Sequence, residues 1–225
     1  MADTTPEDLR LHGDRLVPPG ALDFAVNVHG DGPAPHVLAA VTAALQHAHR
    51  YPDERPAVAA VVGRHGCDVT EVAVTAGAAD AFLLLARSLT PRHAVVVHPS
   101  FTLPEQALRQ AGVVPQRVLR RPEHGWHLDP DAIPDTADLV VVGNPNNPTG
   151  TLDAPERIAA LCRPGRVVVV DEAFMDVVAD PAASVAGRRD LPGLVVVRSV
   201  TKLWGLAGLR AGYVLGPHDL IARLA

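Results

Sequence analysis

Lysine and cysteine are scarce in this 225-residue sequence, which has one lysine against nineteen arginines and only two cysteines. Cys67 and Cys162 lie far apart, so they offer neither a disulfide framework nor a zinc motif. We expect both to be small buried hydrophobes of a reduced cytoplasmic protein. Aromatic residues make up 4% of the chain, so the core must be built from aliphatic side chains.

Other absences narrow the choice of partner. No apolar run approaches the roughly 18 residues of a membrane helix, and the acidic, polar N-terminus does not resemble a signal peptide. The formal net charge is −5 without a basic cluster, which argues against nucleic acid or a membrane surface as partner. We expect no metal site, because His47 and His49 would face different directions on a helix. The expected partner is a small molecule.

The single lysine, Lys202, stands out against this background. Arginine supplies the same positive charge but cannot supply an amine that loses its proton. A sequence that uses arginine wherever only charge is needed would keep lysine where an amine must react. Chance retention of one lysine is the alternative at this point.

Four short runs are apolar at every position, which is typical of strands buried on both faces of a parallel sheet. They cover residues 94–97, 139–142, 167–170 and 194–197. Helical patterns cover residues 35–49, 78–89, 103–111 and 155–161. We predict an α/β domain with a mostly parallel sheet flanked by helices, and ligands at the carboxyl ends of the strands.

Polar residues follow three of these runs. The turn at 143–150, GNPNNPTG, contains three of the four asparagines, either as a simple turn or as side-chain amides held in fixed directions. Asp171 follows four valines, where burying a carboxylate is costly unless it meets a cation or a donor. Ser199, Lys202 and Arg210 follow the last run and could form an anion site that contains a reactive amine.

In order, spacing and strand context, these three segments resemble the fold type I pyridoxal-phosphate (PLP) enzymes, in particular the class I and II aminotransferases. The resemblance implies the large domain of a PLP-dependent transferase. It implies that Lys202 holds PLP as a Schiff base and that Asp171 pairs with the pyridinium nitrogen of the ring. Asn147 would bind the phenolic oxygen, and Ser199 and Arg210 would bind the phosphate.

Earlier segments match the same family. The amides of Ala78 and Ala79 would bind the phosphate at the start of a helix, and Phe101 would stack on the pyridine ring. Tyr51 matches a tyrosine that reaches the cofactor phosphate of the neighbouring subunit, which implies a homodimer. An ordinary turn tyrosine is the alternative for Tyr51.

One position departs from many family members, which have tyrosine where Phe174 stands. This phenylalanine, with the segments at 11–14 and 22–33, resembles a narrower group: the threonine-phosphate decarboxylases of the cobalamin pathway, relatives of histidinol-phosphate aminotransferase. His12 lies where that group has a histidine near the substrate phosphate. Asn27 resembles a substrate-contacting position.

The resemblance extends from about residue 11 to the last residue. It implies an N-terminal arm over 1–34 and a PLP-binding large domain over 35–225, and the family's C-terminal small domain is expected to be missing. That domain normally supplies the arginine that binds the substrate carboxylate. Because this anchor sets which bond at Cα breaks, the cofactor motifs do not separate decarboxylation from transamination.

Three functions therefore remain open at the level of sequence. The first is a threonine-phosphate decarboxylase-like enzyme, the second an aminotransferase of the histidinol-phosphate type, and the third a truncated protein that binds cofactor without turnover. A nucleotide-binding Rossmann protein is disfavoured because the chain has neither G-x-G-x-x-G nor a Walker lysine. Among the remaining residues, we expect Arg120 and Arg121 to be a surface pair and Trp204 to be a packing residue, with a place in the lining of the Lys202 pocket as the alternative for Trp204.

Overall fold

The computed structural model describes Leu9 and residues 17–23 and 25–224 of the chain. Among these described residues, seven strands form one sheet: β1 (Val72–Thr75), β2 (Ala94–His98), β3 (Gln116–Leu119), β4 (Leu139–Gly143), β5 (Val167–Asp171), β6 (Leu194–Ser199) and β7 (Gly212–Leu215). The α-helices of the described residues are α1 (Pro35–Leu45), α2 (Arg55–His65), α3 (Gly77–Ser88), α4 (Leu103–Gln110), α5 (Pro155–Ala159) and α6 (His218–Ile221).

The strand order in the sheet is β1-β7-β6-β5-β4-β2-β3. β7 is antiparallel to both of its neighbours, whereas the other pairings are parallel. β1 therefore runs in the same direction as β4, β5 and β6. The segments that follow these four strands therefore lie on the same side of the sheet, at the carboxyl ends of the strands. Ligands bind at this place in open α/β sheets.

The core lies on both faces of this sheet, as expected of strands that are apolar at every position. Alternate valines of one strand belong to different clusters: Val168 and Val170 pack on one face, and Val169 packs on the other. Helix α3 covers the second face with Phe82 and Leu85. A core rich in valine gives the sheet little freedom to shift, because β-branched side chains have few rotamers.

Helix α1 differs from the other helices because none of its residues is buried in the described part of the chain. Its apolar residues Leu38 and Leu45 are 53% and 66% exposed. The predicted helix at 35–49 begins at the expected residue but ends at Leu45. No helix among the described residues has both the length and the apolar character that a membrane span requires.

The four predicted strands are confirmed as β2, β4, β5 and β6, and the fold class is confirmed as a mostly parallel sheet flanked by helices. Strands β3 and β7 and helix α2 were not predicted. The predicted helix at 155–161 ends earlier, at Ala159. Cys67 and Cys162 are half-buried and pack against the core instead of being fully enclosed.

Candidate active site

The register of the sheet aligns the polar residues that end its strands. Gly143 of β4 is the partner of Asp171, the last residue of β5. Farther along the sheet, Ser199 of β6 is the partner of Gly212 of β7, which in turn is the partner of Thr75 of β1. The loops after β1, β4, β5 and β6 therefore begin side by side, although they are far apart in sequence.

Lys202 lies in a cavity of about 390 Å³ at this edge, together with Asn147, Phe174, Asn27 and His29. The ammonium nitrogen of Lys202 is 5.7 Å from the centre of the Phe174 ring, within reach of a cation–π interaction. The main-chain amide of His29 donates to the carbonyl oxygen of Lys202 at 2.9 Å, so the chain before α1 is tied to the lysine loop. His29 was not predicted as a site residue.

A smaller recess adjoins this cavity and brings in two more of the predicted residues. It is lined by Phe101 and Asp171, and Asn147 and Phe174 line both spaces. Burial raises the pKa of Asp171 to about 6, and the amide of Ala173 and the charge of Lys202 only partly oppose this. A carboxyl in such surroundings gains most from a cationic or hydrogen-bond-donating partner.

The turn after β4 is held by two of its asparagines and presents the third. The side chain of Asn144 accepts from the amide of Asp153 at 2.8 Å and donates to its carbonyl oxygen at 3.1 Å. Asn146 donates to the carbonyl oxygen of Pro99 at 3.0 Å, next to the loop that carries Phe101. Asn147 lines the cavity of Lys202. Asn144 and Asn146 therefore serve the structure of the turn, whereas Asn147 presents its side-chain amide to the cavity.

The start of α3 and the arginine loop approach each other closely. A Cβ atom at Gly77, where φ is +80°, would lie 3.0 Å from Nη2 of Arg210. A Cβ atom at Gly212 would lie 3.0 Å from the main-chain nitrogen of Ala78. The Arg210 guanidinium therefore lies against the first turn of α3, which contains Ala78 and Ala79. A helix start beside a guanidinium is a suitable binding place for a phosphate.

The other predicted site residues have different outcomes. Ser199 is buried and its hydroxyl lies 2.7 Å from that of Thr201. Tyr51 is 99% exposed and does not line the cavity of Lys202. His12 lies outside the described residues.

The expected surface pair is wrong for one of its two members. Arg120 is buried instead of lying at the surface, because its guanidinium donates to Asp153 at 2.6 Å and to the carbonyl oxygens of Trp126 and Gly143 at 2.8 and 3.0 Å. These acceptors offset part of the cost of its desolvation, because the buried Nε atom of Arg120 has no hydrogen-bond partner among the described residues. Trp204 does not line the cavity of Lys202; its indole nitrogen instead donates to Asp176 at 3.3 Å.

Residues 20–225 match the model of the family "Aminotransferase class I and II". The chain belongs to this family. Its members are PLP-dependent enzymes, so the resemblance noted in the sequence is confirmed at the level of family, fold and cofactor class.

Individual relatives of this aminotransferase-family chain carry the names of different enzymes. A histidinol-phosphate aminotransferase of Mycobacterium tuberculosis is 47% identical over 226 residues, which cover 99% of this chain and 61% of the relative. A threonine-phosphate decarboxylase of Salmonella typhimurium is 31% identical and is matched over 91% of this chain and 58% of the relative. The solved threonine-phosphate decarboxylase from Porphyromonas gingivalis superposes with a TM-score of 0.76 at 25% identity, covering 88% of this chain and 63% of that one. The chain thus spans about 60% of the length of these relatives.

Proposed function

We propose that this chain binds PLP through Lys202 and acts in amino-acid phosphate chemistry. The observation that carries the proposal is the convergence of Lys202, Asn147, Phe174 and Asp171 on two adjoining spaces at one sheet edge. Lys202 is the only lysine of the sequence, and it lines this site. Its position argues that the lysine is there for its reactive amine and not by chance.

The residues of the site fit the cofactor. The recessed Asp171 carboxyl, with its raised pKa, would face the ring nitrogen. Arg210 and the start of α3, with Ser199 nearby, would hold the phosphate, Phe101 would stack on the ring and Asn147 would bind the phenolic oxygen. Tyr51 would contribute from a second subunit, and the ring of Phe174 supplies no hydroxyl of its own.

When bound, PLP withdraws electrons from the bond that breaks at the substrate Cα. The chain supplies the groups that direct this chemistry. Lys202 would hold the cofactor through Nζ and would move a proton at that atom, and the Asp171 carboxylate would stabilise a positive charge on the ring nitrogen. Asn27 and His29 line the cavity of Lys202, where a substrate would bind, and His12 is the proposed contact for a substrate phosphate.

For the reaction itself, amino transfer from a histidinol-phosphate-like substrate is the first candidate, supported by the relatives at 47% identity. The expected threonine-phosphate decarboxylation is not confirmed. It remains the second candidate, supported by the relative at 31% identity and by Phe174 in place of tyrosine.

The first experiment tests cofactor binding. The purified chain mixed with PLP is expected to show the visible absorbance band of protein-bound cofactor, and Lys202→Ala is expected to lose it. Lys202→Arg is the matched control: it keeps the charge without a reactive amine, so it should lose the band as well. A wild-type chain without the band, or a band that survives in either variant, would contradict the proposal.

The second experiment separates the reactions. Histidinol phosphate with a 2-keto acid acceptor should yield the amino acid of the acceptor if the chain transfers amino groups. Threonine phosphate should release carbon dioxide if it decarboxylates. Binding of cofactor with neither product would support the third alternative, a chain that holds PLP without turnover.

A further inference from the structure

A buried ionic cluster lies directly behind the candidate active site. Asp171 and Ser199 belong to the site, and the residues next to them in the chain, Glu172 and Arg198, are joined at 2.7 Å. Because successive side chains of extended chain point to opposite faces, this pair lies on the side away from the cofactor residues. The side chains of Glu172 and Arg198 are 0% and 4% exposed.

Asp176 extends the cluster toward the lysine loop. It lies in the short 3-10 turn Met175–Val177 after β5, and its side chain is 9% exposed. Its carboxylate accepts from the guanidinium of Arg198 and from that of Arg64, the latter at 2.9 Å. Its second oxygen accepts from the indole nitrogen of Trp204 at 3.3 Å.

This indole bond connects the loop that carries the reactive amine with the segment after β5 that contacts the amine. Trp204 follows Lys202 by two residues, and Asp176 follows Phe174 by two residues. The ring of Phe174 lies 5.7 Å from the lysine nitrogen. The segment after β5 therefore contacts the amine itself through Phe174 and the loop that carries the amine through the bond between Asp176 and Trp204.

The charges of the cluster hold the carboxylate of Asp176 in place. Glu172 and Asp176 face Arg198 and Arg64, so two negative charges meet two positive charges. A carboxylate held by two guanidiniums has little freedom to turn, and a donor bonded to it is held in the same place. The indole of Trp204 thus bonds to an acceptor whose position is set by β6 and α2.

We propose that Asp176 is a positioning residue for Lys202, acting through the Trp204 indole to fix the loop that presents the amine to the site. The inference rests on the proposed function, because it concerns the same lysine. The positioning of Lys202 involves only residues of this chain, so it can be tested without cofactor.

The test uses the lysine itself as the probe, since the sequence has no other. Cofactor-free protein is labelled with trace acetic anhydride, and the peptide that contains Lys202 is quantified by mass spectrometry with the N-terminal amine as internal standard. Trp204→Phe removes the indole donor but keeps an aromatic ring. Loss of one hydrogen bond should free the loop and raise the labelling rate of Lys202 by about twofold to tenfold.

Trp126→Phe is the matched control, since Trp126 lies elsewhere and forms no part of the cluster. It should leave the Lys202 labelling rate unchanged. Thermal melting of both variants distinguishes a local effect from general loss of structure, because global unfolding would accelerate labelling only as the protein melts. An unchanged rate in Trp204→Phe, or an equal rise in both variants, would overturn the proposal.

A second variant tests the route through the carboxylate. In an Asp176→Leu background the indole has no acceptor, so adding Trp204→Phe should raise the labelling rate no further. Full additivity of the two changes would mean that Trp204 acts by another route. A wild-type chain that never develops the PLP band would defeat the proposed function but would leave this labelling result unaffected.

Discussion

At the scale of single residues, Asp171 shows how a binding site departs from what is best for stability. Its folded-state pKa of about 6 lies above the ordinary value of 3.8, because burial disfavours the charged form. An acid with a higher pKa in the folded state binds protons more tightly when folded. Its contribution to stability is therefore present below about pH 4 and is lost as the pH rises toward about 6.

Asp171→Asn removes this titration, so the cofactor-free variant should be more stable than wild type at pH 7. The expected gain in free energy of unfolding is about 1–3 kcal/mol, from the size of the pKa shift. Urea denaturation at pH 4 and pH 7 measures it, and the difference should shrink at the lower pH. The same variant should bind PLP weakly, because the neutral amide no longer stabilises a charged ring nitrogen.

Asp135→Asn is the control for this prediction, since the Asp135 side chain is 97% exposed. Its stability should follow that of wild type at both pH values. A destabilised Asp171→Asn at pH 7 would mean that the carboxyl is ionised at no cost in the folded chain.

At the scale of elements, the turn after β4 depends on a buried ion pair. Arg120 and Asp153 both have fully buried side chains. Asp153 bonds to Asn144 through its main chain, and Arg120 donates to the carbonyl oxygen of Gly143 at the end of β4. The pair therefore holds the segment that presents Asn147 to the cavity.

Arg120→Met should lower the free energy of unfolding by about 3 kcal/mol, because it leaves the buried Asp153 carboxylate without its guanidinium. Urea denaturation checks this, with Arg121→Met as the neighbouring control. Arg121 is exposed, so its replacement should change stability by no more than about 0.5 kcal/mol. If the two substitutions changed the free energy of unfolding equally, the buried pair of Arg120 and Asp153 would contribute no more to stability than an exposed arginine does.

The same elements show what the sequence can and cannot predict. Strands β2, β4, β5 and β6 were predictable because their central positions are apolar on both faces. Strand β3 lies at the edge of the sheet and only Val118 of its four residues is buried, so its sequence lacks a continuous apolar run. The pairing of Arg120 with Asp153 was not predictable, because the two residues are 33 positions apart in the sequence. In addition, no hydrophobic pattern indicates which of the two adjacent arginines, Arg120 or Arg121, is buried.

At the scale of the whole molecule, the motif residues Lys202, Asp171 and Asn147 come together because they lie at or just after the ends of adjacent strands. Their supporting residues, such as Asp176 and Trp204, were not predictable as a pair, since their contact arises only when two loops meet in space. Tyr51 remains apart. It is 99% exposed, whereas the proposed function places it at the cofactor phosphate of a second copy.

The proposed role of Tyr51 in a second subunit can be tested by mixing two defective variants. In a homodimer of the proposed kind, Lys202→Ala lacks the covalent link and Tyr51→Phe weakens phosphate binding, so each variant alone should bind PLP poorly. A mixed dimer contains one intact site, formed by Lys202 of the Tyr51→Phe chain and Tyr51 of the Lys202→Ala chain. PLP titration of the mixture, followed by visible absorbance, should show a fraction of sites with wild-type affinity. If the titration of the mixture equals the sum of the separate titrations, Tyr51 acts within its own chain or has no role in the site.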